Sequence, residues 1–253
     1  MKEIELKKFQ KEYIRYLKVL IDFFEANDIK YSLAYGTLLG AIREHDMIPW
    51  DTDIDLWLFE DEMLKIEKLS SKLPNCFYFR SYKNNEEFYG LNRVCIKNLY
   101  RIMTGEKEAK NVYIDLFVLK KVGNVSKQKK IFQRYKKLEE RTSFKYSKNK
   151  PSNFIKRNLK PIFQFFAPSL KTCNKKMKRI MSNYISGDQF MICLYLGKFA
   201  YSIPKRYIET SFGSYYFSIF DNSGNICKIN YGDDYMTPKN FGYDADSTFF
   251  IQN

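Results

Sequence analysis

Between Glu3 and Ala26 the apolar residues Leu6, Phe9, Tyr13, Leu17, Leu20 and Phe24 return every third or fourth position, with Lys and Glu between them. That is the period of a helix with one buried face, and it predicts an α-helix over 3–26, stopped by Asn27-Asp28. Lys30–Tyr35 (KYSLAY) then reads as a short strand ended by Gly36, and Thr37–Arg43 as a helical turn or short helix. Asp53–Phe59 (DIDLWLF) alternates as a strand does, Glu60–Leu73 returns to the helical pattern, and Asn75 stops it. Phe77–Tyr82, Leu91–Lys97 and, most clearly, the β-branched and aromatic Val112–Leu119 complete a set of strands. These elements describe an α+β chain, a mixed β-sheet flanked by helices.

The pattern changes after Leu119. Residues 120–179 hold 20 Lys or Arg against two Glu, leaving 23 basic and 27 acidic residues for the rest of the chain. The net charge of +14 is therefore local. The stretch predicts a basic helical insertion broken at Pro151, Pro161 and Pro168. The expected organisation is a core carrying the chemistry over 1–119, the insertion over 120–189, and a C-terminal part over 190–253. The aromatic, Gly and Asn residues of Phe190–Pro238 predict short strands and loops closing over the site. No internal repeat is visible.

A basic surface calls for an anionic partner: membrane, nucleic acid or phosphorylated substrate. Within the insertion, Phe154–Phe166 (FIKRNLKPIFQFF) mixes basic and large apolar residues. Two readings stay open for it, peripheral contact with an anionic membrane or a helical subdomain whose aromatics form its core. The five cysteines are widely spaced and form no CxxC pair, which argues against a zinc site and for reduced, buried thiols. Neither an apolar signal core at the start nor a run of about 18 apolar residues is present. The expected location is cytoplasmic, with the inner face of the membrane as a peripheral option.

The sharpest chemical signal is Asp51-Thr52-Asp53-Ile54-Asp55. Residues two apart on a strand share a face, so Asp53 and Asp55 project together, while Ile54, Leu56 and Leu58 point the other way and Thr52 is expected to face away from the pair. Adjacent carboxylates in a partly dry site repel each other, and Mg²⁺ (or Mn²⁺), a hard cation that bridges carboxylate and phosphate oxygens, relieves that repulsion. Three features strengthen this over a solvated Asp-x-Asp turn. Gly36-Thr37 lies between a strand and a helix, where backbone N–H groups can cradle a phosphate. Asp115 stands alone inside an apolar strand, costly unless paired or metal-bound. Arg43 and Arg93 are placed to hold phosphate oxygens. Asp51 is either an orienting residue or a further ligand. The lone His45 supports neither a His-based metal site nor a catalytic triad and reads as a loop residue.

Strand–Gly-Thr–helix, then an acidic pair, then a carboxylate on a later strand resembles the polymerase-beta-like nucleotidyltransferase superfamily. Within it, Tyr35–Leu58 (YGTLLGAIREHDMIPWDTDIDLWL) resembles the signature block of the LicD/fukutin family, Ile114-Asp115-Leu116-Phe117 its later acidic strand, and Tyr231–Pro238 (YGDDYMTP) its C-terminal block. Thr52 stands where the family usually has Asp, and Asp46 where it often has Gly. The resemblance implies a nucleotidyltransferase fold, with Asp53, Asp55 and Asp115 as catalytic and metal-holding residues and Gly36, Thr37, Arg43, Asp51 and Arg93 around the substrate. It further implies a metal-dependent phosphotransferase that moves phosphocholine from CDP-choline to a hydroxyl of a cell-surface glycan (lipopolysaccharide, teichoic acid or capsule), the acceptor in some cases lipid-linked. A polyol phosphate such as ribitol phosphate is the competing cargo, and the sequence does not choose between them. Tyr215, Tyr216, Phe217 and Tyr231 are candidates for a choline-binding aromatic cage. A nucleotidyltransferase acting on RNA is a weaker reading, since no RNA-binding module is recognisable and Ile48-Pro49-Trp50 points to the glycan-modifying branch. An inactive scaffold is disfavoured by the intact Asp set.

Overall fold

The computed structural model describes residues 1–103, 107–126, 128–146, 154–182, 187–195, 197–239 and 247–252, without the side chains of 154–159. Its centre is a mixed sheet of nine strands among the described residues. Parallel β3 (Ile54–Phe59) and β6 (Lys110–Val122) lie side by side, with β2 (Ser32–Leu33) antiparallel to β3 and β5 (Leu91–Met103) antiparallel to β6. β4 (Phe77–Ser81) pairs with β5. β7 (Phe190–Cys193) pairs with the end of β6 and carries β8 (Ala200–Ser202). β11 (Ser247–Ile251) joins β5 to β1 (Lys2–Ile4), so strands from beyond residue 190 belong to the same sheet. A separate hairpin pairs β9 (Tyr207–Phe212) with β10 (Tyr215–Phe220).

The helix α1 (Leu6–Ala26) buries Phe9, Tyr13, Leu17, Leu20, Ile21 and Phe24, the stripe that its sequence period marks out. It starts later than its pattern because Lys2–Ile4 pairs as an edge strand with Phe249–Ile251. Both faces of β3 are covered. Ile54, Leu56 and Leu58 are buried on one side. On the other, Trp57 is packed by Tyr35 at 5.0 Å, Tyr201 at 5.5 Å and Phe220 at 6.2 Å between ring centroids. The short helices α2 (Tyr35–Arg43), α3 (Glu60–Leu69) and α7 (Ser223–Tyr231) complete this part.

Three elements depart from expectation. β5 runs on past Lys97 to Met103, because Leu99–Met103 find a partner in Ile251–Ser247. The stretch 223–231 forms a helix rather than strand and loop. Between α4 (Gln128–Tyr146) and α6 (Leu170–Met181), α5 (Phe154–Phe166) continues through Pro161 instead of breaking there. A proline removes one helical hydrogen bond, and beyond that loss the end of α5 is pinned to α4. Gln164 Nε2 donates to the Phe144 carbonyl (3.0 Å), and Lys145 Nζ donates to the carbonyl of Ala167 (2.9 Å). Pro168 does separate α5 from α6, while Pro151 lies outside the described residues.

Candidate active site

The site grows from the register of three strands. Asp55 on β3 stands opposite Asp115 on β6, and Asp115 stands opposite Arg93 on β5, which in turn faces Arg80 on β4. Neighbouring strands lie about 4.8 Å apart, so these four side chains form one lateral row, two acids followed by two arginines. Arg93 Nε donates to Asp115 Oδ1 (2.7 Å), and its Nη1 donates to Glu87 Oε2 (2.8 Å). Glu87, buried, also pairs with Arg80 (2.9 Å).

Asp53 precedes β3 and leans onto a second guanidinium. Arg101 Nη1 donates to Asp53 Oδ1 (2.8 Å) and to the Thr52 hydroxyl (3.3 Å), and Nη2 donates to the Tyr113 hydroxyl (3.1 Å). Thr52 therefore shares the cation that holds Asp53 rather than turning away. The Tyr113 ring lies under both arginines, 3.9 Å from Arg93 and 5.4 Å from Arg101.

The Gly-Thr turn serves these acids directly. The Thr37 hydroxyl accepts from the Asp55 N–H (2.9 Å), and Ala34 N–H donates to the Asp55 carbonyl (3.0 Å), so α2 is bolted to the start of β3. Tyr35 holds φ 44°, a strained value for a bulky residue, fixed by edge contacts with Trp57 and Phe117 at 5.0 Å each. A Cβ on Gly36 would meet Asp51 Oδ2 at 2.8 Å. The first turn of α2, expected to cradle a phosphate, thus already carries the Asp51 carboxylate, a favourable place for an anion. Asp51 Oδ1 accepts from the N–H groups of Thr52 (2.8 Å) and Asp53 (3.3 Å).

Two α1 residues hold this turn from beneath. Gln10 Nε2 donates to the carbonyls of Ile48 (3.0 Å) and Asp51 (2.9 Å). The Tyr13 hydroxyl accepts from the Ile54 N–H (3.2 Å) and donates to the Tyr113 carbonyl, joining β3 to β6. Gln10, Tyr13, Glu87, Arg101 and Tyr113 escaped the sequence reading. The available signal was polar atoms on the apolar face of α1; Arg101 had none, since β5 was expected to end before it.

Arg43 is placed differently from Arg93. Its side chain is buried, paired with Glu44 (2.7 Å), and donates to the Tyr235 carbonyl (3.2 Å); none of its polar contacts reaches the four aspartates. It helps to line a 190 Å³ cavity with Trp50, Tyr231, Asp234 and Tyr235. Tyr231 lines that cavity, and its phenol pKa is raised by burial and then by Asp55. The four aromatic-cage candidates do not gather: Phe217 is buried, Tyr216 is 68% exposed, and Tyr231 lies on α7 away from the hairpin. His45 sits in a loop with its Nδ1 3.0 Å from the Ser211 hydroxyl.

The electrostatics are those of crowded acids. Burial, then Asp115, Asp53 and Asp51, push the Asp55 carboxyl well above the usual range. Asp115 is raised to about 6 by burial, against the opposing pull of Arg93. Asp51 is raised to about 6 by burial and by Asp53. Among the described residues no three acids converge into a ready-made cation cage, because Asp53 is drawn to Arg101 and Asp115 to Arg93. The donor set nevertheless suits a hard divalent cation. Four aspartates face two guanidiniums, and no described residue donates a hydrogen bond to the Asp55 carboxylate.

Comparison with known proteins bears on the same stretch. A family model described as "LicD/FKTN/FKRP, nucleotidyltransferase domain" matches residues 28–162, more than half of the chain and inclusive of Asp51, Asp53, Asp55 and Asp115; it ends before Tyr231–Pro238. The chain is 42% identical over 62 residues (24% of the chain, 23% of the relative) to the lipopolysaccharide cholinephosphotransferase LicD of Haemophilus influenzae. It is 39% identical over 52 residues (21% and 10%) to the human ribitol 5-phosphate transferase FKRP. An uncharacterized Rickettsia prowazekii protein, RP689, is 33% identical over 88 residues (35% and 30%). The chain thus spans less than a third of the length of each of these relatives.

Proposed function

Because this chain belongs to the LicD/FKTN/FKRP nucleotidyltransferase-domain family, we propose that it transfers a phospho-alcohol, phosphocholine in the first instance, from a CDP-linked donor to a hydroxyl of a cell-surface glycan. The observation that carries this is the lateral pairing of Asp55 with Asp115 beside Asp53, an acidic surplus in a polar row that the sheet has no structural need to bury. A nucleotidyltransferase fold is part of the proposal, supported by the parallel β3–β6 pair and by α2, which begins at Tyr35 so that Gly36 and Thr37, expected between strand and helix, form its first turn against β3.

Asp53 and Asp55, with Asp115, would hold a divalent cation, Mg²⁺ or Mn²⁺, which supplies charge neutralisation at the phosphates and polarises the phosphorus under attack. Arg93 and Arg101 hold Asp115 and Asp53 in place and add positive charge where the leaving CMP gains negative charge. Asp115 gives one oxygen to Arg93 and keeps the other for the cation or for the acceptor hydroxyl's proton. Asp51 is a positioning residue, its carboxylate fixing the turn that presents Asp53. Arg43 bears on the donor through the cavity it lines rather than by grasping the acids' phosphate.

In this reading the head group occupies the 190 Å³ cavity lined by Trp50, Tyr231 and Tyr235, where the Asp234 carboxylate is paired with Lys239. The aromatic lining suits a quaternary ammonium. A polyol phosphate is the second reading, favoured by the FKRP similarity and by the polar groups of Arg43 and Asp234 in the same cavity. The test is CMP release from CDP-choline and from CDP-ribitol by purified protein with Mg²⁺ and glycan acceptors. CDP-choline turnover that falls at least ~10-fold in Trp50→Ala, with CDP-ribitol turnover below it throughout, supports phosphocholine. CMP release from neither donor, together with no thermal shift by CDP and Mg²⁺, rejects the assignment.

A further inference from the structure

The helix α5 is packed inside out. On its last two turns the residues turned to the protein are polar: Gln164 bonds the Phe144 carbonyl, and Lys160 lies 6.0 Å from the Phe144 ring. The residues turned to solvent are large and apolar. Ile162 is 54% exposed, Phe163 59%, Phe165 78% and Phe166 79%. Those four positions cluster on one side of a helix whose opposite side is spent on α4. The core of this part of the chain lies elsewhere, in Tyr135, Cys173 and Met177 between α4 and α6. The reading of α5 as a subdomain core is therefore corrected for the described side chains.

An exposed aromatic ridge of this kind marks an interaction surface, and its surroundings select the partner. Phe163 and Phe166 share the wall of a 710 Å³ cavity with the cationic Arg141 and Lys176, against one acid, Glu140. Along α6, Lys171, Lys175, Lys176, Lys178 and Arg179 are all exposed, and among the described residues none forms an ion pair, although Lys171, Lys175 and Lys178 line a separate 570 Å³ cavity whose wall includes Glu60 and Glu67. In the described part of 120–182 the ion pairs are Lys120–Glu60 at 3.6 Å and Lys136–Glu140 at 4.0 Å. A folded protein partner would need to bring a matching excess of acid; an anionic bilayer offers it everywhere, together with an acyl layer for the rings.

We propose that the α5 ridge is a membrane-docking element that inserts Phe163, Phe165 and Phe166 at the headgroup–acyl boundary of an anionic bilayer while the lysines of α4 and α6 meet lipid phosphates. No helix among the described residues is long and apolar enough to cross a membrane, so the attachment is superficial and reversible. It stands independently of the transferase reading.

The test is flotation of the full chain with phosphatidylcholine vesicles and with vesicles holding about 30% phosphatidylglycerol, run beside a soluble-acceptor assay. The expected result is recovery with the anionic vesicles and little with neutral ones. Phe165→Ser/Phe166→Ser should cut that recovery at least ~10-fold, and Lys175→Glu/Lys176→Glu should cut it and flatten its salt dependence. Circular dichroism and soluble turnover should stay unchanged in both. Failure of the wild type to float, equal recovery of the Ser variant, or a concentration-dependent dimer that the Ser variant abolishes without any vesicle binding would each overturn the proposal. Loss of soluble turnover in an Asp53 variant that still floats bears on the transferase reading alone.

Discussion

The β3–β6–β5 row and the α4–α6 helices solve opposite problems with the same residue types. In the row, Asp115 and Arg93 are drawn out of water and held by strand register, so each charge meets a fixed neighbour. In the helices, charge is left in water and largely without partners, while phenylalanines are turned outward. A buried charge is costly unless it is compensated. The acid surplus around Asp55 therefore argues for chemistry with a cation, just as the outward rings of α5 argue for a partner that is itself apolar beneath a charged surface. Each region departs from the economical arrangement in the direction of its proposed task.

The sharpest way to break the contrast is Asp55→Asn. Turnover should fall on the order of 10³-fold or more, as expected when charge preorganised for phosphoryl transfer is removed. Stability should hold or rise, because a crowded carboxylate has been neutralised. A fall of several degrees in Tm would show instead that Asp55 is a structural acid. Next in size is Gly36→Ala, whose Cβ must displace Asp51 from 2.8 Å. Turnover should drop about 10² -fold, the scale of a ~1 Å misplacement, with little change in Tm. Full activity in that variant would remove Asp51 from the positioning role.

The pH response sharpens the comparison further. Folding raises the pKa of Asp51 and Asp115 to about 6 and that of Asp55 further than their ordinary range. The folded protein then binds more protons than the unfolded chain, so this contribution to stability is full below about pH 4 and is lost as pH climbs through about 6, with Asp55 extending the window upward. Turnover should rise over the same interval as the carboxylates ionise. Added Mg²⁺ should raise Tm by a few degrees at pH 8 and by much less at pH 5. An equal shift at both pH values would detach the cation from these acids. The smallest expected effect is on the helical side: Arg141→Gln should leave soluble turnover within about 2-fold and Tm within a degree or two, as for surface substitutions.

Much of this was legible in one dimension. The 3.6-residue period announced α1, the alternation announced β3, and the apolar run 112–119 announced the heart of β6, because each reports burial of one face by residues adjacent in the chain. The pairing of Asp-x-Asp with Asp115 was inferable from the cost of charge inside apolar strands. The membrane-like composition of 154–166 was visible too, but not which way its rings would point, since periodicity reports amphipathicity and not what lies across from it.

What only the tertiary structure decided is contact between distant segments. Arg101 enters the site because β5 is prolonged by pairing with Ser247–Ile251, and Glu87 enters because a loop folds back over Arg80 and Arg93. Gln10 and Tyr13 hold the Asp51–Ile54 turn from a helix some 40 residues away. Local propensity carries no information about such partners, because their energy appears only once the chain has closed and the polar groups have no water left to choose.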